Sequence, residues 1–101
     1  MNIGIVIPAY NEAESIGTTL HSLLNQTYLP SQIIVVDDGS TDSTAEVVNH
    51  IASKYPIVQL IQRGEKGEHL PGAKVVQTFN YGLSYLKEDI EVICKFDADL
   101  I

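Results

Sequence analysis

The chain alternates between four short apolar runs and segments whose apolar residues recur at helical spacing. The runs cover residues 3–7, 33–36, 57–61 and 89–96. Runs of this length that are rich in Val and Ile are typical of strands buried on both faces of a parallel sheet. We therefore predict four strands, with the first at a central position in the sheet.

The segments between the runs predict three amphipathic helices, because their apolar residues fall on one helical face. These helices cover about residues 13–25, 43–52 and 71–86. Ser43 and Glu46 have the spacing of a capping box, and Pro71 suits a first helical turn. Gly82 lies inside the third helix and weakens that prediction, because glycine is a poor helix former.

The predicted order of elements is β-α-β-α-β-α-β. With right-handed crossovers, this order gives a Rossmann-like, three-layer α/β/α fold with a parallel sheet covered on both faces. Ligands of such sheets bind outside the carboxyl ends of the strands. The polar residues that follow the first, second and fourth strands should therefore lie close together; they are Tyr10, Asn11, Asp37, Asp38, Asp97 and Asp99.

Length, charge and cysteine content narrow the possible classes of protein. The chain has 101 residues, enough for one small domain, and a net charge of −7 from 13 acidic and 6 basic residues. This charge disfavours nucleic-acid binding and favours a cleft that takes a cation. Cys94 lies in an apolar run, and no cationic leader precedes the first strand. We expect no internal disulfide and a cytoplasmic location.

Two carboxylates, Asp97 and Asp99, follow the fourth strand one residue apart. Mg²⁺ and Mn²⁺ prefer carboxylate oxygens and complete their coordination with water and substrate phosphate. The pattern therefore predicts a divalent-cation site. An acidic turn that closes a strand is the alternative interpretation.

A second acidic pair, Asp37 and Asp38, follows the second strand. We expect one carboxylate, Asp38, to face the cleft, where it can accept a hydrogen bond from an imide N–H or a ribose hydroxyl. An Asx turn and helix capping adequately explain Asp42, and they are an alternative interpretation for Asp37.

The residues after the first strand are candidates for base binding. Tyr10 can stack on a nucleobase, or be an ordinary half-buried tyrosine. Asn11 and Glu12 are expected to begin the first helix and to satisfy its free N–H groups with their side-chain oxygens. A further functional role for Glu12 is left open.

The basic residues and histidines give weaker signals. Arg63, Lys66 and Lys74 surround a glycine-bearing segment, so they could bind phosphate or simply face solvent. His21, His50 and His69 lack metal-ligand spacing, and the first two should lie on helix surfaces. A Walker loop, a dinucleotide fingerprint and a nucleophile elbow are all missing from the sequence.

Three stretches together resemble the start of a family 2 glycosyltransferase with the GT-A fold. They are residues 5–12, 34–42 and 97–99, and the resemblance extends over essentially the whole chain. It implies an inverting enzyme that passes a sugar from a nucleotide donor, commonly a UDP-sugar, to an acceptor hydroxyl. It also implies a role in cell-surface polysaccharide biosynthesis, with a glycan or lipid-linked acceptor.

The resemblance also implies roles for single residues. Pro8, Ala9 and Tyr10 would hold the base, and Asp38 would contact the uracil edge. Glu12 would help to position the nucleotide, and Asp97 would lie near the ribose and sugar. Asp99 would bind the Mg²⁺ or Mn²⁺ that bridges the diphosphate.

Members of the resembled family continue well beyond the metal motif, so residues 1–101 are expected to be the donor-binding part of an incomplete domain. The catalytic base would lie beyond Ile101, and we expect this chain alone to be inactive. Its unpaired sheet edge is expected to favour self-association. A peripheral position of the full-length protein at the inner membrane is left open.

Three other classes are kept as alternatives. One is a Mg²⁺-dependent phosphoacceptor domain, which paired aspartates and a nearby lysine would suit. Another is a nucleotidyltransferase, although the glycine-rich, arginine-containing loop expected after its first strand is missing from the sequence. The last is a noncatalytic interaction module.

Overall fold

A computed structural model describes residues 2–63 and 73–95 of the chain. The strands are β1 (Ile3–Ala9), β2 (Gln32–Asp37), β3 (Val58–Gln62) and β4 (Val92–Lys95). The helices are α1 (Ala13–Leu24), α2 (Thr44–Ala52) and α3 (Ala73–Leu83). The predicted alternation of strands and helices is confirmed.

The four strands form one parallel sheet in the order β3-β2-β1-β4. The register pairs Ala9 of β1 with Asp37 of β2, and Asp37 in turn with Gln62 of β3. Three strands therefore end side by side at one edge, with β1 and β2 at the centre. The central position predicted for the first strand is confirmed.

Successive residues of the two central strands pack on opposite faces of the sheet. On one face, Ile5 and Ile7 of β1 join a core with α1 and α2. On the other face, Val6 packs with Ile34 and Val36 against residues of α3 and the turn after it. Both faces are thus covered by helices, so the predicted three-layer α/β/α architecture is confirmed.

Gly82 explains how closely α3 approaches the sheet. A Cβ at this position would lie 2.6 Å from Cγ1 of Val6 and 2.7 Å from Cγ2 of Val36. Carbon atoms in ordinary contact are about 3.5–4.0 Å apart. The glycine that weakened the helix prediction is therefore the residue that lets this helix pack closely on the sheet.

The boundaries of the last elements differ from those predicted. Strand β4 begins at Val92 rather than at residue 89, because the N–H of Ile90 is taken by a turn to the Lys87 carbonyl at 3.2 Å. Helix α3 ends at Leu83, yet Leu86 still packs on the core of that face.

Gln32 was predicted in the segment before the second strand, but it is the first residue of β2 and is buried. Its side-chain amide donates to the Tyr85 carbonyl at 2.9 Å and accepts from the Lys87 N–H at 3.0 Å. These two bonds connect the residues after α3 to the amino end of β2.

Candidate functional site

The carboxyl ends of β1, β2 and β3 are joined by backbone hydrogen bonds that continue past the sheet. The Asp38 N–H donates to the Ala9 carbonyl at 2.9 Å, and the Arg63 N–H donates to the Asp37 carbonyl at 2.8 Å. Ala9 and Asp38 are both nearly inaccessible, at 3% and 4% exposure, and Pro8 and Tyr10 are half-buried. The structure thus brings together four of the residues predicted to bind nucleotide.

The two acidic residues at the end of β2 differ in position, since Asp37 is the last residue of the strand and Asp38 follows it. The Asp37 carboxylate accepts a hydrogen bond from the Ser40 N–H at 3.1 Å, across a turn in which Gly39 has a φ of 77°. Only glycine adopts that conformation without strain, so Asp37 and Gly39 form the turn together. The turn role expected for Asp37 is confirmed, and the backbone of Asp38 lies beside the end of β1.

Two loops meet at this edge. We call residues 10–12, between β1 and α1, the first loop, and residues 38–43, between β2 and α2, the second loop. The N–H groups of three consecutive residues, Asn11, Glu12 and Ala13, donate to side chains of the second loop and the start of α2. Their acceptors are Ser40 Oγ at 2.9 Å, Thr44 Oγ1 at 2.9 Å and Asp42 Oδ2 at 3.3 Å, respectively.

The side chain of Asn11 accepts hydrogen bonds that the second loop donates. Its Oδ1 accepts from the Thr41 N–H at 2.8 Å, from the Thr41 hydroxyl at 3.3 Å and from the Asp42 N–H at 3.3 Å. Asn11 has a φ of 51°, a left-handed conformation that asparagine tolerates better than most residues. We call these reciprocal bonds between the two loops the loop clasp.

The residues that cap α1 and α2 differ from those predicted. Neither Glu12 nor Ser43 makes a side-chain cap bond, although each occupies the cap position of its helix. Asp42 serves both helices instead, because its carboxylate accepts from the N–H of Ala13 and from the N–H of Thr44 at 2.9 Å. The predictions of a Ser43–Glu46 capping box and of caps from Asn11 and Glu12 were therefore wrong, and the capping role expected for Asp42 is confirmed.

The carboxylate of Asp42 is held in its charged form. Burial is the largest single effect and raises its pKa, but the hydrogen bonds from the Thr44 hydroxyl, the Thr44 N–H and the Ala13 N–H together outweigh burial and lower the pKa below 3.8. Hydrogen bonds donated to a carboxylate favour its ionised form. The negative charge also suits the N-termini of α1 and α2.

The carbonyl and the carboxylate of Glu12 both accept hydrogen bonds from the first turn of α1. Its carbonyl accepts from the N–H groups of Ser15 and Ile16, and its carboxylate accepts from the Ser15 hydroxyl at 3.1 Å. The described side-chain contact of Glu12 therefore serves local structure, and a role in positioning the nucleotide stays a prediction.

A small cleft of ≈ 90 Å³ opens beside the second loop. Its walls come from the end of β2, the start of α2 and the end of β3; they are Asp37, Gly39, Ser40, Asp42, Ala45, Glu46 and Gln62. Sites for ligands of nucleotide size usually enclose about 300–1,000 Å³. This cleft therefore accommodates only part of such a ligand. Two of its lining residues, Ala45 and Gln62, were not among the predicted site residues.

The basic residue that follows β3 is turned toward α3. The Arg63 guanidinium donates to Thr78 Oγ1 at 3.0 Å and lies 5.8 Å from the centre of the Tyr81 ring. Lys66, the Lys74 side chain and His69 lie outside the described residues. His21 and His50 are exposed on α1 and α2, as predicted.

Asp97 and Asp99, the two carboxylates of the predicted cation site, lie outside the described part of the chain. Among residues 2–63 and 73–95, no three His, Cys, Asp or Glu side chains are grouped so that they could hold a metal ion. Two described carboxylates of this edge, Asp37 and Asp42, instead accept hydrogen bonds from turn and helix N–H groups.

Comparison with known proteins identifies the family. The family model described as glycosyl transferase family 2 matches residues 4–101. The chain belongs to glycosyl transferase family 2. A curated relative, the poly(ribitol-phosphate) beta-glucosyltransferase of Bacillus spizizenii, is 47% identical over 66 residues, which cover 62% of this chain and 10% of the relative.

Solved structures of glycosyltransferases share the fold. S. aureus TarS 1-349 in complex with UDP-GlcNAc has a TM-score of 0.77 at 27% identity, covering 98% of this chain and 27% of TarS. The mannosyltransferase PcManGT of Pyrobaculum calidifontis, in complex with GDP-Man and Mn²⁺, has a TM-score of 0.79 at 27% identity, covering 97% of this chain and 27% of that enzyme. This member of glycosyl transferase family 2 thus has the GT-A fold that its sequence resembles.

This family 2 chain is short beside its relatives. It spans between 10% and 22% of the length of three curated relatives that it matches. Its longest described helix, α1, has 12 residues, and none of the described helices has the length and apolar content of a membrane span.

Proposed function

We propose that this chain forms the donor-binding part of an inverting glycosyltransferase that uses a nucleotide-sugar, with UDP-sugars as the preferred donors. The observation that carries the proposal is the placement of Pro8, Ala9, Tyr10 and Asp38 at one sheet edge. The Asp38 N–H bonds to the Ala9 carbonyl there, at 2.9 Å. Solved relatives of the same fold bind UDP, UDP-GlcNAc and GDP-Man, which supports a nucleotide-sugar as the ligand.

In this proposal, the base binds between the first loop and the end of β2. Tyr10 is half-buried, and an aromatic ring can stack on a base. Asp38 is 4% exposed, and its carboxylate accepts the imide N–H of uracil. A hydrogen bond to a charged, buried group is stronger than one at the surface, so Asp38 would supply most of the base selectivity.

The remaining parts of the donor are assigned to residues at the edges of this site. Pro8 and Ala9 would hold the base together with Tyr10, and Glu12 would help to position the nucleotide. Asp97, which follows β4 in the sequence, is the residue assigned to the ribose and the sugar. Arg63 is not assigned to the diphosphate, because its guanidinium bonds to Thr78 on α3.

Asp99 is the residue that would hold Mg²⁺ or Mn²⁺. Two solved relatives, PcManGT and the glucosyl-3-phosphoglycerate synthase of Mycobacterium tuberculosis, are complexed with Mn²⁺. When bound, such a cation neutralises the charge that develops on the departing nucleoside diphosphate. An aspartate suits either ion, since both prefer oxygen ligands.

The catalytic base and the acceptor site are proposed to lie beyond Ile101, so that this chain alone is inactive. A glycan polymer or a lipid-linked sugar is the proposed acceptor. One relative is by its name a poly(ribitol-phosphate) glucosyltransferase, and another an undecaprenyl-phosphate sugar transferase. We place the protein in the cytoplasm, consistent with a cysteine, Cys94, that has no disulfide partner in the sequence.

Calorimetric titration tests this proposal. UDP, GDP and dTDP are titrated, each with Mn²⁺ and with EDTA, into the chain and into a form extended past Ile101. We expect UDP to bind the extended form only with the metal, and Asp99→Ala to abolish that binding. A folded extended form that binds none of the three nucleotides would refute the proposal. Metal-dependent binding of GDP alone would refute the uracil preference.

A further inference from the structure

The loop clasp joins the two loops that carry the proposed base-binding residues. Tyr10 directly precedes Asn11 in the first loop, and Asp38 begins the second loop. The bonds of the clasp connect positions 29 to 32 residues apart in sequence, so they fix one loop relative to the other rather than shaping either alone.

Asn11 makes the largest side-chain contribution to the clasp from the first loop. A single oxygen, Oδ1, accepts from two backbone N–H groups and one hydroxyl of the second loop. The backbone of Asn11 is left-handed, with a φ of 51°. Asparagine meets both requirements, because it tolerates this conformation and presents a carbonyl acceptor on a short side chain.

We propose that Asn11 is a positioning residue for the nucleotide: through the loop clasp it holds Tyr10 and Asp38 at the spacing that the base requires. This inference rests on the proposed function, because it assumes that both residues contact the base. Asn11 itself is not required to touch the ligand. Its effect is preorganisation, since loops that are already fixed lose less conformational freedom on binding.

The alternative is that Asn11 supports the fold without affecting binding. Asn2 offers a matched comparison at the opposite edge of the sheet. Its Nδ2 donates to the carbonyl and the carboxylate of Asp89 at 3.2 and 3.1 Å, and its Oδ1 accepts from the Ser31 hydroxyl at 3.2 Å. Each asparagine thus makes three side-chain hydrogen bonds at the protein surface, but only Asn11 lies beside the proposed site.

The test compares Asn11→Gly, Asn11→Ala and Asn2→Gly in the form extended past Ile101. Glycine retains the left-handed backbone and removes only the side-chain acceptor, whereas alanine also introduces backbone strain. UDP affinity in Mn²⁺ is measured by calorimetry well below the melting temperature, and the melting temperature is measured separately without nucleotide.

We expect both Asn11 variants to bind UDP about tenfold more weakly, which corresponds to about 1.4 kcal/mol. Asn11→Ala should also melt at a lower temperature than Asn11→Gly, with no further loss of affinity. Asn2→Gly should lower the melting temperature and leave UDP affinity within about twofold of the unsubstituted protein.

Three results would overturn the inference. The first is UDP affinity unchanged in Asn11→Gly, and the second is an equal loss of affinity in Asn2→Gly. The third is an affinity that follows the melting temperature across all variants, which indicates a purely structural role. If the unsubstituted protein binds no nucleotide, the proposed function fails first, so that failure is distinguishable from a failure of the inference alone.

Discussion

Replacing Gly82 by alanine should destabilise the protein, although the same change in an exposed helix usually stabilises it. The added Cβ would lie 2.6 Å from Val6 Cγ1 and 2.7 Å from Val36 Cγ2, about 1 Å closer than ordinary contact on both sides. Val6 and Val36 are both fully buried in the central strands. Since neither can move aside, α3 must shift away from the sheet.

The magnitude follows from two opposing effects. Overpacking a well-packed core costs about 1–3 kcal/mol, and two simultaneous close contacts place Gly82→Ala near 3 kcal/mol. Alanine is a better helix former than glycine by about 1 kcal/mol. We therefore expect a net loss of about 2 kcal/mol from the free energy of unfolding, or roughly 8–16 °C in melting temperature for a domain of this size.

Gly17, in α1, is the matched control. A Cβ there would meet only Val47 Cγ1, at 3.5 Å, which is an ordinary contact. Gly17→Ala should therefore raise the free energy of unfolding by about 0.5–1 kcal/mol. Both variants are measured by urea denaturation followed by circular dichroism. If Gly82→Ala were as stable as Gly17→Ala, the close approach of α3 to the sheet would be wrong.

Two further predictions concern buried and charged hydrogen bonds. Gln32→Leu should lower the free energy of unfolding by about 2–3 kcal/mol, because it leaves the Tyr85 carbonyl and the Lys87 N–H without their partner. Gln32→Glu should also destabilise the protein, because it keeps the acceptor for Lys87 but buries a carboxylate whose oxygen faces the Tyr85 carbonyl; unchanged stability of either variant in urea denaturation would contradict this. The pKa of Asp42 is lower in the folded state than its usual 3.8, so its contribution to stability is complete above about pH 4 and is lost as the pH falls through the folded value. Asp42→Asn should therefore flatten the loss of melting temperature below pH 4, and an unchanged acid profile would count against the described hydrogen bonds.

The elements of this fold could be predicted from the sequence because their signals are local. Apolar runs such as residues 33–36 have no polar position to place in solvent, so they fit only strands covered on both faces. The apolar residues of α1, including Ile16 and Leu20, recur at helical spacing and pack on the core of one face. The meeting of strand ends at one edge then follows from the parallel topology.

The contacts that shape the candidate site could not be predicted in the same way. Asn11 lies where a helix cap is expected, but its side chain bonds to Thr41, 30 residues away. Gln32 bonds to Tyr85 and Lys87, more than 50 residues away, although its sequence context predicts a loop. Local patterns do not specify such partners, because they depend on how the finished loops face each other.

The central claim, that Asp38 binds the uracil edge of the donor, is tested most directly with a methylated nucleotide. N3-methyl-UDP lacks the imide N–H that the Asp38 carboxylate would accept. The affinities of UDP and N3-methyl-UDP are measured by calorimetry in Mn²⁺, on the form extended past Ile101 and on its Asp38→Ala variant. A hydrogen bond to a charged group is worth about 1.5–3 kcal/mol, or roughly 10–150-fold in affinity.

We predict that methylation weakens binding to the unsubstituted protein by at least about tenfold. Asp38→Ala should bind UDP more weakly and no longer distinguish the two nucleotides. An equal penalty for methylation in both proteins would contradict the account, because it would mean that the uracil N–H is recognised by a residue other than Asp38.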